Sequence, residues 1–269
     1  MEKTSLTQIL KNLTVLTNLW VSIIPMQFIG IFAIYNIFTG SAPHWWWIAS
    51  ICGYVCLKMI GIAGGYHRLF SHRGYTVYKI VRRIILWFGI TAGQGSPIFW
   101  IGIHRGYHHR YADQPGDAHS PRDGFWHSYM GWMFTRSQMS IRSVIDLVRD
   151  PDMAFAHRHY IKIFLITHIL VALISVDVWL YLLAFPAFIT LHSFCFNTSL
   201  NHYPMLGYRN YKVNDDSVNS IWLFPLILGE AWHNNHHGEG RNPNYGRRWW
   251  ELDPTFWIIQ AIRTDRKML

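Results

Sequence analysis

The chain has 269 residues, of which 51% are hydrophobic and only 14% charged, against about 25% charged in a soluble domain; a water-soluble globule is excluded and a lipid-embedded chain expected. Its formal net charge of +9 is scattered among Trp and Tyr rather than massed into a tail, which argues against nucleic acid and fits anionic headgroups or an acidic protein partner. Cys52, Cys56 and Cys195 lie in apolar stretches without zinc or disulfide spacing and read as packed thiols.

The polar start, Met1 to Lys11, shows no signal-peptide pattern. From Asn12 to Leu57 there is no charged residue, and the run breaks at Thr39-Gly-Ser-Ala-Pro-His44. Two membrane helices are expected, Leu19 to Phe38 and Trp45 to Ala63, each near the ~20 residues that span hydrocarbon. Trp45, Trp46 and Trp47 read as an interfacial anchor. A further apolar run, Ile84 to Ile103, contains Gly89, Gly93, Gln94, Gly95, Ser96 and Pro97. If it spanned, the histidines before it would lie across the membrane from those after it, so it is read as re-entrant or interfacial. A second hairpin runs from Ile161 to Phe196, with Asp177 at its far turn. The presumed outer turns carry no Lys or Arg, whereas Arg68, Arg73, Lys79, Arg82, Arg83, Arg105, Arg110 and the basic residues after Arg209 fall on the histidine side. By the positive-inside rule that side, with both termini, is cytoplasmic. The expected fold is all-α and integral to the membrane: one domain over 1–269, with four transmembrane helices in two hairpins and a helical cytoplasmic cap.

Sixteen histidines are present. His67 and His72 follow the second helix, and His104, His108 and His109 follow the re-entrant run. His202 follows the fourth helix, with His233, His236 and His237 beyond it. Neutral imidazole ligates iron, zinc and copper. Positions i, i+3 and i+4 share one stripe of a helix, so His233, His236 and His237 converge. Nine imidazoles exceed what one ion uses, and a neutral all-histidine shell suits oxygen chemistry better than hydrolysis. Metal-bound imidazoles usually donate their second N–H to a carboxylate or carbonyl. Asp113, four residues after His109, and Glu230, three before His233, are candidates for that role.

In HRLFSH, HRGYHHRYAD with PGDAHSPRDGFW, NHYPMLGYRNY and GEAWHNNHH, covering much of Gly61 to His237, the chain resembles the membrane fatty acyl desaturases of the stearoyl-CoA desaturase type. The resemblance implies two Fe ions held by His67, His72, His104, His108, His109, His202, His233, His236 and His237, with an asparagine acting through water. It also implies a substrate tunnel past Trp100 and Gln94. Two departures stand out. The second box reads HxxxHH rather than HxxHH, which spreads it over about 140° of a regular helix. A π-bulge at Gly106 or Tyr107 is expected to absorb the extra residue. The family's asparagine position is Thr198 here, and of the flanking Asn197 and Asn201 we favour Asn197. His44, His119, His127, His157, His159, His168 and His192 fall outside the boxes and read as structural or interfacial, with His119 the one also to test beside the ligands.

The implied reaction is oxygen-dependent loss of two hydrogens from neighbouring methylenes of an acyl chain carried by coenzyme A, acyl carrier protein or a lipid. Its two electrons need a separate donor (ferredoxin, rubredoxin or cytochrome b5 with its reductase), since no flavin, nicotinamide or haem motif is present. Hydroxylation or acetylenation on the same scaffold, and a non-enzymatic membrane metal-binding protein, are the competing readings. The small size leans to a bacterial inner membrane.

Overall fold

A computed structural model describes residues 18–135 and 141–265. The expectations for the polar start and for the sidedness of the termini fall outside these residues. The described chain is helical, with only isolated bridges joining Tyr208 to Asn219 and Asn219 to Trp232.

Helix α1, Leu19–Phe38, and α2, Trp46–Ser71, form the first hairpin. The second was expected to stop at Ala63. Instead it runs eight residues further, and from Val55 to Ser71 it is wound as a π-helix. The glycines Gly61, Gly64 and Gly65 do not break it. They let neighbours close in: a Cβ on Gly61 would lie 2.6 Å from the Gly89 nitrogen, and one on Gly65 would lie 2.5 Å from Ile85 Cγ2. Small residues at such crossings set how closely apolar helices approach. Helix α3, Lys79–Thr91, is the element seated there.

The run expected to be re-entrant is broken as the sequence implied. After α3 the chain turns through Gly93 and Gly95, at φ +71° and +109°, where L side chains are strained. It resumes as α4, Pro97–Ile103. The histidines on either side of this excursion meet, with His72 Nε2 2.8 Å from His104 Nε2. The run therefore leaves and returns to one place.

The second hairpin departs from expectation in its first half. Helices α5, Pro151–Arg158, and α6, Tyr160–Ile174, qualify as a span only together and are bent by 69°. Alone, α6 is about 22 Å long, short of the ~30 Å hydrocarbon core. Three helices are thus long and apolar enough to cross a membrane, and four if the bent pair counts as one. Ser175 then caps α7, Val176–Leu200, by accepting from the Val178 N–H, with Asp177 in the first turn as expected. Phe28, Ile31, Phe32, Phe38, Ile169, Leu173 and Ile174 are exposed on these helices, a surface suited to lipid rather than water. The thiols are less uniform than expected: Cys195 is buried, but Cys52 is exposed.

Candidate metal centre

The histidines come from four places in the chain. His67 lies in the last turn of the π-wound part of α2, which ends at Ser71, and His72 follows as its cap. The His72 N–H donates to the His67 carbonyl over 3.1 Å. The same i+5 bond recurs after α4, where residues His104–His108 form a π turn and the His109 N–H donates to the His104 carbonyl. In a regular helix residues five apart diverge by about 140°; an i→i+5 turn brings them nearly into line. The expected bulge over Gly106 and Tyr107 is present. Helix α8, His233–Gly238, is regular instead, and there His233 and His237 align at a spacing of four.

This winding sorts the imidazoles. His67, His72, His104, His109 and His236 form one group, and His108, His202, His233 and His237 a second; within each, the ligand atoms lie within 4.8 Å of one another. Ligands on opposite sides of one ion, each bonded at about 2.1 Å, lie about 4 Å apart, so each group is the size of one ion's shell. The Nε2 atoms point inwards: His67 to His236 is 3.1 Å, His109 to His236 2.8 Å, His202 to His233 3.0 Å and His233 to His237 3.1 Å. Neutral imidazoles crowded through their Nε2 atoms cannot all be satisfied by each other's protons. His108 Nε2 is buried with no hydrogen-bond partner. A metal in each group satisfies these atoms, and the residues fit one.

The outward nitrogens meet acids. His67 Nδ1 lies 2.8 Å from Glu230, His202 Nδ1 2.7 Å from Asp113, and His237 Nδ1 2.8 Å from Asp215. His108 Nδ1 is 3.4 Å from Asp117, which also faces His119 at 3.6 Å. Asp113 and Glu230 were legible as acids, but their partners are His202 and His67 rather than the histidines nearest in sequence. Asp215 and Asp117 were missed; their partners lie 22 and 9 residues away. Burial pushes these carboxyls up, but their partners outweigh it. Arg68 and His67 hold Glu230 below the carboxylate range, and His237 does the same for Asp215. Burial and neighbouring imidazoles push His104, His109, His233 and His236 well below the usual histidine range. Burial thus favours the neutral form of these four rings, the form that ligates, whereas Asp113 outweighs burial at His202 and shifts it upward.

A second tier holds the acids. Arg68 is fully buried and donates to Glu230 over 2.6 Å, to Asp253 over 2.6 Å and to the Pro243 carbonyl over 2.8 Å. Its guanidinium stacks 3.7 Å above the Tyr245 ring. Asp253 also caps α9, Pro254–Ile262. A Cβ on Gly229 would come within 2.1 Å of Asp253 Oδ1, which accounts for the glycine before Glu230. Between the histidines of the last box, Asn234 accepts from the Asn210 and Tyr211 N–H groups, and Asn235 donates to Glu251 and the Tyr245 carbonyl. The first pair fastens α8 to the loop that carries Asp215, and the second to the segment from Tyr245 to Glu251.

Asn197 Nδ2 lies 3.4 Å from His233 Nδ1, and its Oδ1 accepts from Asn201 over 2.7 Å. Thr198 instead turns its hydroxyl to backbone carbonyls. Asn197 lines a small void of about 20 Å3 with Trp100, His108 and His233, room for one water. Trp100 stacks on His104 with centroids 5.3 Å apart, and its Nε1 donates to Gln94 over 3.4 Å. Trp100, Gln94 and Phe194 also line an apolar cleft with Leu19, Ile23, Phe99 and Met133. Most remaining histidines are structural: His157 pairs with Ser96, His168 with the Thr91 carbonyl and Trp179, and His192 with Tyr129 and Gln27.

Long apolar helices that end in two histidine shells beside an apolar cleft define a membrane oxidoreductase with a metal centre. The chain belongs to the fatty acid desaturase family, whose model matches residues 41–268. It is similar to the Delta-9 acyl-lipid desaturase 2 of Arabidopsis thaliana, 31% identical over 78% of this chain and 71% of that one. It is also similar to the sn-1 stearoyl-lipid 9-desaturase of Anabaena variabilis (33%, covering 76% and 75%) and the sn-2 palmitoyl-lipid 9-desaturase of Nostoc sp. strain 36 (34%, covering 76% and 74%). The protein is a fatty acyl desaturase.

Proposed function

We propose that the chain is a di-iron desaturase of lipid-linked saturated acyl chains that places its double bond at the ninth carbon. The observation that carries the metal assignment is the division of nine inward Nε2 atoms into groups of five and four, the first backed by Glu230 and the second by Asp113, Asp117 and Asp215. When bound, the irons supply the oxygen-dependent removal of two hydrogens. All nine histidines ligate, His67, His72, His104, His109 and His236 at one ion and the other four at its neighbour. Asn197 completes the four-histidine shell through a water. Glu230, Asp113 and Asp215 fix the ring orientations and keep the Nδ1 proton in place. Gln94 anchors the Trp100 indole, and Trp100 with Phe194 bends the acyl chain past the histidines and excludes water. The lipid carrier and the position are supported by the names of the similar plant and cyanobacterial proteins.

The helices cross the membrane four times as two hairpins, α5 and α6 together forming the third crossing. The histidine face, a helical cap, is cytoplasmic, where the excess of Lys and Arg lies. A bacterial inner membrane suits the chain. Molecular oxygen and a separate one-electron carrier are its co-substrates. Expression in a desaturase-deficient host tests the reading: a new monounsaturated chain in the lipid fraction, absent without iron, is expected. A hydroxylated or acetylenic product would redirect it.

A further inference from the structure

Asp117 stands apart from the other acids that face the histidines. Glu230, Asp113 and Asp215 meet their imidazoles at 2.8, 2.7 and 2.8 Å. Asp117 is set between two imidazoles and reaches neither so closely: His108 Nδ1 lies 3.4 Å from one oxygen and His119 Nδ1 3.6 Å from the other. An N–H···O hydrogen bond ordinarily spans about 2.7–3.2 Å. Both oxygens accept instead from their own loop, Oδ2 from the Asp113 N–H over 3.1 Å and Oδ1 from the His119 N–H over 3.3 Å. His119 Nδ1 is left buried with no hydrogen-bond partner. The rings packed on it, those of His108, Trp132 and Phe194, offer it no oxygen. His108 and His119 are each 2% exposed and Asp117 6%.

These spacings are those of ligands around one ion. Two ligands bonded at about 2.1 Å in a tetrahedron lie about 3.4 Å apart, and the ligand atoms of His108, Asp117 and His119 lie within 4.8 Å of one another. His108 also belongs to the four-histidine group, so its ring can serve two ions. On giving up its Nδ1 proton to water it becomes an imidazolate, which bonds one ion through each nitrogen. That charge and the Asp117 carboxylate together neutralise a dication, as a site this buried requires. Two imidazole nitrogens and a carboxylate oxygen suit zinc and bind it more tightly than ferrous iron.

We propose that His108, Asp117 and His119 form a third metal site, for a zinc-type dication, joined through the His108 ring to the ion of the four-histidine shell. The inference goes beyond the two-ion reading and rests on it for the bridge. The test uses the purified full chain, loaded with iron, rinsed with a weak chelator and then given one equivalent of Zn2+. Wild type takes up one zinc per chain and keeps two irons. His119→Asn and Asp117→Asn each weaken the zinc roughly 10-fold or more in chelator competition, with iron still at two. Zinc X-ray absorption reports nitrogen and oxygen ligands. The Mössbauer signal of one iron, not both, shifts when zinc is added, because only the His108 ligand changes charge, and in His119→Asn it stays put. If Asp117→Asn fails to fold, His119→Asn carries the test, since His119 belongs to neither iron shell. Two irons with no added zinc would overturn the inference. So would zinc that enters only by displacing iron, or zinc held equally by wild type and His119→Asn. Fewer than two irons before zinc is added would remove the two-ion reading, and the bridge with it.

Discussion

At the scale of single residues, four of the nine imidazoles, those of His67, His108, His202 and His237, turn one nitrogen into the cluster and the other to an acid. Glu230 illustrates the arrangement: it orients His67 and is itself fixed by the buried Arg68. Glu230→Gln keeps the shape and removes the charge. It should weaken metal affinity about 10- to 100-fold, measured by chelator competition, while the chain still folds. The linkage to pH follows from the depressed histidines. Below their ordinary pKa of 6.5 the unfolded chain takes up protons that the folded shell refuses, so stability falls with pH. Each such histidine contributes a slope of about 1.4 kcal/mol per pH unit. The depressed carboxylates Glu230 and Asp215 contribute stability that is present above the usual carboxylate range and lost as pH falls beneath it. Metal-free protein should thus lose thermal stability steeply between pH 6.5 and 5. A flat profile there would mean that the rings are not held neutral.

At the scale of elements, helix winding sorts the histidines into two groups. HxxxHH works because the turn over Gly106 and Tyr107 is a π turn. Deleting Tyr107 returns the box to HxxHH on a regular helix and should preserve metal content. Inserting an alanine between Asn234 and Asn235, in the regular box, should abolish it. Metal analysis of both variants decides. Close helix contacts make a second prediction: Gly61→Leu should destabilise the chain by about 1–3 kcal/mol or more, read by thermal unfolding in detergent. Much of this was legible from local pattern, because histidine spacing, the glycine-broken run and the extra residue in the second box are all features of neighbouring residues. Partners distant in sequence were not. Asp215 meets His237 across a loop, and Arg68 reaches Asp253 across 185 residues, contacts that no periodicity encodes. The bent α5–α6 pair escaped because hydropathy does not report the 69° bend between the two helices.

At the scale of the whole molecule, the apolar helices carry the histidine shells to one end, with the apolar cleft leading to them. Sidedness is open to direct test. Single cysteines at Ser41, in the first turn, and at Asn214, beside the histidines, should label from opposite sides of inverted vesicles, Asn214 from the cytoplasmic side. The proposed chemistry rests on nine histidines forming two adjacent metal shells. The most direct measurement is metal stoichiometry with Mössbauer spectroscopy on the purified, iron-loaded chain. Two irons per chain are expected in wild type, and about one in His202→Ala, which strips the four-histidine shell alone. A single iron in wild type, or equal occupancy in wild type and His202→Ala, would contradict it.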